Sequence, residues 1–496
     1  MSFYITTSIP YVNARPHLGH ALEFVQADTL ARHRRQRGQD VRFLTGTDEN
    51  ALKNVRAAEA EGVLTAELVA RNSAWFAALR EPLELSFDDF IRTSVDPRHR
   101  DGVERLWRAC AASGDLYERS YEGLYCVGCE QFLQPAELIA GRCPEHLVAP
   151  EPVAERNWFF RLSRYGDRLA ELIDSGTLRI EPGPRRNEVR AQIAAGLEDV
   201  SISRSAERAG GWGIPVPGDP SQVIYVWWDA LCNYVTALDY ASDNPAYERW
   251  WAGSEARVHV IGKGITRFHA LYWPALLLSA GVPLPTDLFV HDYLTIDGQK
   301  ISKTLGNTVD PSDLVRRFGV DAVRWWLLRE PPRVGDADFT IGRLWQRHDT
   351  ELSNELGNLV NRTVGLVHRY RSGRAPRAYA QTSLDAARQG VDAAVDAALD
   401  DFDFRRALDG IWAIVTEGNR YVEATRPWEL AKAGLDEDAD IVLAALVRAC
   451  RDVARHLAPF LPSASARLRE QLGGEGTDVP LARALFPRLA ELPVGS

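Results

Sequence analysis

Two histidines beside a glycine near the N-terminus form the first group of residues that could do chemistry. His17 and His20 flank Gly19, between a short apolar run and a helical pattern that begins near Ala21. A helix start carries unbonded N–H groups and the positive end of the helix dipole, so it binds anions readily. The histidines could also donate to an oxyanion that gains charge in a transition state. The segment predicts a phosphate site, and a pair of ordinary helix histidines is the alternative.

Three cysteines and a histidine form the second group. Cys126 and Cys129 are followed, after thirteen residues, by Cys143 and His146. Three thiolates and one imidazole from two turns suit a tetrahedral structural zinc with no open coordination position. Loss of one ligand should therefore unfold this segment rather than alter chemistry directly. A chance cluster is the alternative, which four ligands at this spacing disfavour.

Two lysines form the third group. Lys300 and Lys303 lie in the stretch Asp297–Asn307, whose glycines and short polar residues predict a mobile loop. Such a loop can close over a polyphosphate, with Lys303 as a point charge on a leaving pyrophosphate. A solvated basic loop is the more common fate of a lysine pair.

The first part of the chain alternates strand and helix patterns. A first strand is followed by a helix to about residue 37, and a second strand at Val41–Thr45 ends in the polar turn Gly46–Asn50. This rhythm predicts a parallel sheet, and such sheets bind ligands at the carboxyl ends of their strands. Asp48 in that turn is either a helix cap or the partner of a substrate amine. Further helices are predicted at 51–62, 65–79 and 97–113.

The rest of the chain divides into a second α/β part and a helical part. The predicted elements are a strand from Val223 that runs into a helix, strands at 258–262 and 289–294, a helix at 265–280, and helical segments at 341–371, 383–400, 404–425 and 440–470. The last four segments predict a bundle. Because the bundle has no glycine-rich phosphate loop and no cluster of catalytic residue types, its expected role is binding or scaffolding.

Composition restricts the class of protein. The 496 residues are 45% apolar and 25% charged, which is typical of a globular chain of roughly two to four domains. The sequence has no uninterrupted run of about 18 apolar residues, and no secretory signal is visible in it, so we expect no membrane span and a cytoplasmic location. The net charge of −10 argues against a protein that grips nucleic acid over its whole surface.

These groups, in this order, resemble the signatures of class I aminoacyl-tRNA synthetases, and the longer strings resemble the methionyl-tRNA synthetase family. His17-Leu-Gly-His20 is similar to the HIGH signature, and Lys300-Ile-Ser-Lys303-Thr304 is similar to KMSKS. The cysteine–histidine knuckle is similar to that of the one-zinc bacterial members. The resemblance covers essentially the whole chain and also rests on the strings Tyr11-Val-Asn13, Gly46-Thr-Asp48-Glu49, Tyr225–Tyr234 and Phe268-His269-x-x-Tyr-Trp-Pro274.

The resemblance implies an α/β fold: a Rossmann-type parallel-sheet catalytic domain with a zinc-knuckle insert, followed by an α-helical bundle that binds the anticodon. The implied divisions are a catalytic domain at 1–115 and 158–295, the insert at 116–157, a KMSKS loop and stem-contact segment at 296–340, and the helical domain at 341–496. The implied reaction joins L-methionine and ATP into methionyl-adenylate and transfers the methionyl group to the 3′ end of tRNA(Met). Mg²⁺ accompanies the ATP. We expect a monomer that binds neither membranes nor DNA.

The resemblance also assigns residues. It implies catalytic roles for His17, His20, Lys300, Lys303 and Arg204. ATP would contact Asn13, His17, Gly19, His20, Gly262, Lys300, Ser302 and Lys303. Methionine would contact Ile9, Tyr11, Asp48, Trp227, Leu231, Tyr234, Ile265, Phe268 and His269. The anticodon would contact Asn358, Arg362 and Trp428, and zinc would be held by Cys126, Cys129, Cys143 and His146.

The chain departs from the family pattern at three functional positions. Asn50 stands where the family usually has histidine, and Ile301 replaces the methionine of KMSKS. Gly264 replaces an aspartate that could hold the ATP ribose, so weaker nucleotide binding is expected.

Two alternatives use the same resemblance differently. The chain could be a divergent paralogue that makes an aminoacyl-adenylate for specialised metabolism, or a non-catalytic tRNA-binding protein. The anticodon residues argue against the first, and the intact histidines and lysines argue against the second. A narrower hypothesis comes from methionine, which occurs only at Met1. An enzyme made when methionine is scarce or oxidised benefits from containing none, so a reserve isozyme is one explanation, and an inhibitor-resistant isozyme is another.

Overall fold

The structure, a computed structural model, describes residues 2–242, 244–301, 306–474 and 476–489, and the side chain of Lys300 is not described. Contacts within the chain define two compact units. The first comprises Met1–Pro16, Arg37–Arg80 and Ser86–His291, and the second comprises His17–Gln36, Glu81–Leu85 and Asp292–Ser496. The boundaries of these two units differ from those of the four segments expected from the sequence. The division into four segments stays a prediction.

A six-stranded parallel sheet forms the centre of the first unit. Its strands are β1 (Ser2–Thr7), β2 (Asp40–Thr47), β3 (Asp89–Arg92), β7 (Arg179–Glu181), β12 (Ala256–Gly262) and β13 (Asp287–His291). They are ordered β3-β2-β1-β12-β13-β7, with every pairing parallel. The strand order reverses between β1 and β12, where sheets of this kind bind ligands beyond the carboxyl ends of the strands. The predicted Rossmann-type parallel sheet is confirmed.

Two antiparallel sheets interrupt the parallel one. Their strands are β4 (Leu116–Cys126), β5 (Gln131–Leu133), β6 (Glu151–Phe160), β8 (Val200–Ser201), β9 (Ser203–Ser205), β10 (Pro215–Val216) and β11 (Asp219–Ile224). The larger sheet has the order β5-β4-β6-β8, and its long β4–β6 pairing runs from Leu116 opposite Phe160 to Tyr125 opposite Glu151. The end of β4 and the start of β5 therefore hold the turn Val127–Glu130 of the cysteine-rich insert.

Helices pack around the sheets of the first unit. They are α2 (Leu52–Glu61), α3 (Thr65–Ala77), α4 (Pro97–Ala112), α5 (Gly166–Asp174), α6 (Gly183–Ala194), α7 (Val226–Thr236), α8 (Pro245–Tyr247) and α9 (Trp273–Ala280). The predicted helices at 51–62, 65–79 and 97–113 correspond to α2, α3 and α4. The apolar run after Val223 is mostly helix, because strand β11 ends at Ile224 and every residue of α7 is buried. A run buried on all sides has no periodicity that separates strand from helix.

The second unit is mainly helical. Its helices are α1 (Leu18–Gln36), α10 (Pro311–Phe318), α11 (Val320–Arg329), α12 (Ile341–Arg347), α13 (Asn358–Arg371), α14 (Ser383–Arg388), α15 (Val391–Asp400), α16 (Phe404–Thr425), α17 (Pro427–Lys432), α18 (Asp436–Leu457) and α19 (Pro462–Gln471). A π-helix at His348–Gly357 joins α12 to α13, so the predicted segment 341–371 is helical throughout. A small sheet adds β14 (Leu294–Ile296), β15 (Gln299–Lys300) and β16 (Ala337–Asp338). The predicted helical bundle is confirmed.

Among the described residues, no helix combines the length and the apolar character needed to cross a membrane.

Candidate functional site

The histidine signature lies at the first turn of α1. The rings of His17 and His20 stack with their centroids 3.8 Å apart. The Nδ1 atom of His20 accepts the His17 N–H (3.1 Å), and the Nδ1 atom of His17 accepts the Gly19 N–H (3.1 Å). Since each Nδ1 is an acceptor, the hydrogen of each neutral ring is on Nε2. Both rings can therefore donate to an anion at a helix N-terminus.

Gly19 is needed for this arrangement. A Cβ atom at that position would lie 3.0 Å from Cε1 of His17, which is tighter than nearly all such contacts. The missing side chain lets the His17 ring fold back over the helix start.

The lysine signature begins on a hairpin of the second unit. Strands β14 and β15 pair antiparallel through Asp297 and Gly298, which both have positive φ angles of 53° and 71°. That conformation is the one a tight two-residue hairpin requires. Asp338 holds the turn by accepting the Gly298 N–H (2.9 Å). Ile301 is buried, while Ser302, Lys303, Thr304 and the side chain of Lys300 lie outside the described part of the structure.

The residues predicted to bind methionine form one aromatic cluster in the first unit. The rings of Trp227 and Phe268 stack in parallel with centroids 3.7 Å apart, and the edge of Tyr11 meets Trp227 at 6.2 Å. Leu231 and Tyr234 are buried in the same core, and the half-buried side chains that pack against it include Ile9 and Ile265.

Hydrogen bonds fix the protons of His269 at one wall of this cluster. Its Nδ1 atom lies 3.0 Å from the Ile265 carbonyl oxygen, so Nδ1 carries the hydrogen. The Nε2 atom then accepts from the Tyr234 hydroxyl at 2.7 Å. Burial lowers the pKa of His269 to about 4, so the ring is neutral near pH 7. This wall of the cluster carries no charge.

Asp48 lies at the carboxyl end of β2, beside Tyr11. Its N–H donates to the Pro10 carbonyl (2.9 Å), and Asp48 and Tyr11 form a parallel bridge. The carboxylate is 2% exposed, and its Oδ1 has no hydrogen-bond partner among the described residues. Burial, followed by the nearby charges of Asp229 and Glu130, raises the pKa of Asp48 well above its usual range. A buried carboxylate with one unpartnered oxygen is a suitable place for a ligand's ammonium group.

Asn50 belongs to a buried network that the sequence did not reveal. Its Nδ2 donates to Oδ2 of Asp229 (2.6 Å), and His99 Nε2 bonds to the other oxygen of that carboxylate. The Nδ1 atom of His99 bonds to the Thr236 hydroxyl at 2.7 Å. Asn50, which stands where the family usually has histidine, therefore binds the buried Asp229 carboxylate in this chain. In the sequence, the only indication that Asp229 belongs to the site was its position within the family string Tyr225–Tyr234.

Glu130 is a second residue that sequence reasoning missed. It is fully buried, and its carboxylate accepts from Arg204 Nη1 (3.2 Å), the Tyr125 hydroxyl and the Lys53 N–H (2.8 Å). Arg204 is 5% exposed, and its Nη2 also donates to the Tyr125 hydroxyl (2.8 Å). The predicted catalytic Arg204 therefore stands in a buried hydrogen-bonded network.

The four predicted metal ligands come together as one group. Their ligand atoms all lie within 4.8 Å of one another. The Cys129 and Cys143 sulfurs are 3.4 Å apart, and the His146 Nδ1 atom is 3.2 Å from Cys129 and 4.0 Å from Cys126. These separations suit the corners of a tetrahedron about an ion with sulfur and nitrogen ligands. The cluster could hold a metal ion.

The knuckle turn is tied to the aromatic cluster. The carbonyl of Cys129 accepts the Trp227 indole N–H at 3.3 Å, and the carbonyl of Glu130 accepts the Tyr225 hydroxyl. Gly128 permits the tight turn, because a Cβ there would lie 2.5 Å from the His146 ring.

The remaining predicted site residues are distributed over both units. Gly262 ends β12, next to the point where the strand order reverses, and Asn13 is half-buried in the turn after β1. In the second unit, Asn358 is exposed at the start of α13, and Arg362 pairs with Glu423 of α16 at 2.7 Å. Trp428 is half-buried in α17, and α13 packs against both α16 and α17.

Comparison with protein families identifies the class of this fold and site. The model for "tRNA synthetases class I (M)" matches residues 3–150 and 145–364, and the model for the "Anticodon binding domain of methionyl tRNA ligase" matches residues 376–496. The parallel sheet, the knuckle and the helical bundle are thus those of a class I aminoacyl-tRNA synthetase. Individual relatives narrow this class further.

A methionine–tRNA ligase of Brucella suis is 39% identical, with 99% of this chain and 98% of the relative covered. One from Caldanaerobacter subterraneus is 40% identical over 98% of this chain and 79% of the relative. The structure of Mycobacterium tuberculosis methionyl-tRNA synthetase in complex with methionyl-adenylate matches with a TM-score of 0.93 at 38% identity, covering 98% of this chain and all of that one. The chain belongs to the methionyl-tRNA synthetase family, and the resemblance seen in the sequence is confirmed.

Proposed function

We propose that this chain is a methionine–tRNA ligase. In the first step a methionine carboxylate oxygen attacks the α-phosphorus of ATP, and the bond to pyrophosphate breaks. In the second step the terminal ribose hydroxyl of tRNA(Met) attacks the carbonyl carbon and AMP leaves. The observation that carries the proposal is the aromatic cluster around Trp227 and Phe268, with the buried Asp48 carboxylate, whose Oδ1 has no partner among the described residues, beside Tyr11. Aromatic walls suit a thioether, since sulfur–aromatic contacts add affinity.

ATP activation needs positioning and charge stabilisation rather than covalent help from the protein. The Nε2–H groups of His17 and His20 supply hydrogen bonds to phosphate oxygens at the N-terminus of α1. Lys300 and Lys303 supply positive charge to the departing pyrophosphate. The remaining proposed ATP contacts are Asn13, Gly19, Gly262 and Ser302. Mg²⁺ enters with the ATP and neutralises phosphate charge.

The metal of the knuckle is proposed to be zinc with a structural role. Three thiolates and one imidazole are the ligand types that zinc prefers, and they leave no position for a substrate. The residues that would hold it are Cys126, Cys129, Cys143 and His146.

The anticodon is proposed to bind α13 and α17. Asn358 and Arg362 lie one turn apart on α13, and Trp428 offers an aromatic surface on the neighbouring α17. Proteins read unstacked loop bases by stacking and by hydrogen bonds to base edges, and these residue types supply both. The expected bases are those of the CAU anticodon. Protein synthesis makes the cytoplasm the proposed location.

Methionine-dependent exchange of labelled pyrophosphate into ATP, followed by charging of tRNA(Met), tests the function. Both activities are expected. Exchange without charging would favour the adenylate-making paralogue, and tRNA binding without exchange would favour the non-catalytic protein. The reserve-isozyme hypothesis has a separate test, which is transcript level under methionine limitation and oxidative stress. Unchanged expression in both conditions would contradict it.

A further inference from the structure

Lys53 is a half-buried lysine beside the methionine cluster, and neither the sequence motifs nor the proposed reaction assigns it a role. It lies in the first turn of α2, and its Nζ atom sits 3.8 Å from the centroid of the Tyr11 ring. Among the described residues, no carboxylate or carbonyl oxygen pairs with this ammonium, which lies over the face of the Tyr11 ring. A half-buried ammonium that has no direct ion pair is available to a ligand's anionic group.

The backbone of Lys53 is held in place while its ammonium is left available. Glu130 Oε1 accepts the Lys53 N–H at 2.8 Å, and the other oxygen of Glu130 is occupied by Arg204 and Tyr125. The carboxylate of Glu130 therefore accepts three hydrogen bonds and forms its ion pair with Arg204. Burial lowers the pKa of Lys53, while the charges of Glu130, Asp48 and the knuckle thiols of Cys129 and Cys126 oppose that change.

Two unpartnered polar atoms lie next to Lys53. The Tyr11 hydroxyl and Asp48 Oδ1 are buried without a hydrogen-bond partner among the described residues. Tyr11 and Asp48 form a bridge, and Tyr11 carries the Lys53 ammonium on its ring face. One negative group and one positive group thus flank the same tyrosine.

A bound amino acid brings two opposite charges into this region. Asp48 suits the ammonium, but the carboxylate needs a cation, and the described side chains of the aromatic cluster are neutral. The Arg204 guanidinium already donates hydrogen bonds to Glu130 and to the Tyr125 hydroxyl. Lys53 is a cation beside Tyr11 that forms no ion pair with a carboxylate among the described residues.

We propose that Lys53 is a substrate-binding residue that recognises the α-carboxylate of methionine, so that Asp48 and Lys53 together read the zwitterion. This inference rests on the proposed function. It predicts that the enzyme distinguishes L-methionine from L-methioninol, which keeps the thioether and the ammonium but has no carboxylate, and that Lys53 is the source of the distinction.

Calorimetric titration of the full chain with both ligands tests the proposal. The variant Lys53→Gln should weaken methionine binding by about tenfold or more, as expected for loss of a charge-assisted contact, and should change methioninol binding by less than about twofold. Lys53→Arg keeps the charge and should retain part of the methionine affinity. Lys432→Gln, at an exposed lysine of α17, is the matched control and should change neither affinity.

The outcomes separate this inference from the proposed function. If Lys53→Gln weakens both ligands equally, or neither, Lys53 does not recognise the carboxylate, although the wild type still binds methionine. If the wild type binds no methionine, both the function and the inference fail. Thermal melting of each variant shows whether the fold is intact, and pyrophosphate exchange should show the change of Lys53→Gln in KM for methionine.

Discussion

The methionine cluster of the first unit and the anticodon face of the second unit use the same chemistry in opposite settings. Arg204 and Glu130 pair at 3.2 Å with side chains 6% and 0% exposed. Arg362 and Glu423 pair at 2.7 Å with side chains 29% and 65% exposed. The buried pair has further hydrogen bonds to Tyr125 and to the Lys53 backbone, whereas the exposed pair lies in water.

This difference shows how each region can treat its ligand. A buried hydrogen-bonded network holds its groups in one geometry before the substrate arrives, which is what catalysis by positioning requires. An exposed pair contributes little to stability and can exchange its partner for a nucleotide at small cost. The first region is therefore suited to fixed recognition of a small molecule, and the second to recognition of a mobile RNA loop.

Loss of the knuckle metal should have the largest effect on the buried region. We expect Cys143→Ser to abolish metal binding and methionine activation together, because the knuckle turn holds both the Trp227 indole and Glu130. Metal content by atomic emission and pyrophosphate exchange measure the two losses. A Cys450→Ser variant, at a buried cysteine of α18 that is not a ligand, should keep its metal. Full exchange activity in a metal-free protein would show that the knuckle does not support the cluster.

Asp48→Asn should have the next largest effect. Loss of the charge that faces the substrate ammonium should lower kcat/KM for methionine by about 10²–10³-fold, equivalent to roughly 3–4 kcal/mol. The free protein should become more stable at pH 7. A carboxyl group whose folded pKa is raised is charged in the folded state only at a cost, so its contribution to stability falls as pH rises above the ordinary carboxyl range.

Two measurements check this prediction. Chemical unfolding at pH 4 and pH 7 should show that Asp48→Asn gains stability over the wild type mainly at the higher pH. In the wild type, KM for methionine should rise as pH falls below the raised pKa of Asp48, because the carboxyl group must lose its proton to hold the ammonium. A pH-independent difference in stability would contradict the burial argument.

The sequence predicted the local features of this site and missed the long-range ones. Hydrophobic periodicity predicted the positions of α2, α3 and α4. The order of the motifs identified the residues around Trp227 and those of the knuckle. It could not show that Asn50 meets Asp229, or that Glu130 meets Arg204, because such pairings depend on how distant segments fold together. Lys53 was missed for a similar reason, since a lysine in a helical pattern is normally read as a solvated residue.

Glu130→Gln tests the buried half of the comparison directly. Removing one member of a buried pair leaves the Arg204 charge uncompensated, so we expect a loss of about 3 kcal/mol in the free energy of unfolding of the first unit. Urea denaturation followed by tryptophan fluorescence measures it. A change below about 1 kcal/mol would mean that water or rearrangement compensates Arg204, and the contrast with the exposed pair would disappear.

Glu423→Gln is the corresponding change on the anticodon face and should have the smallest effect. The exposed pair is worth about 0–1 kcal/mol, so stability should scarcely change. Removing the carboxylate frees Arg362 and removes a charge that repels RNA phosphates, so the KM for tRNA(Met) should fall by about twofold to fivefold at low salt and less at high salt. Arg362→Ala is the paired variant, and it should raise the same KM while leaving methionine-dependent pyrophosphate exchange unchanged. If Glu423→Gln weakened tRNA charging instead, the pair would act as a fixed unit, and the anticodon face would be preorganised like the methionine cluster.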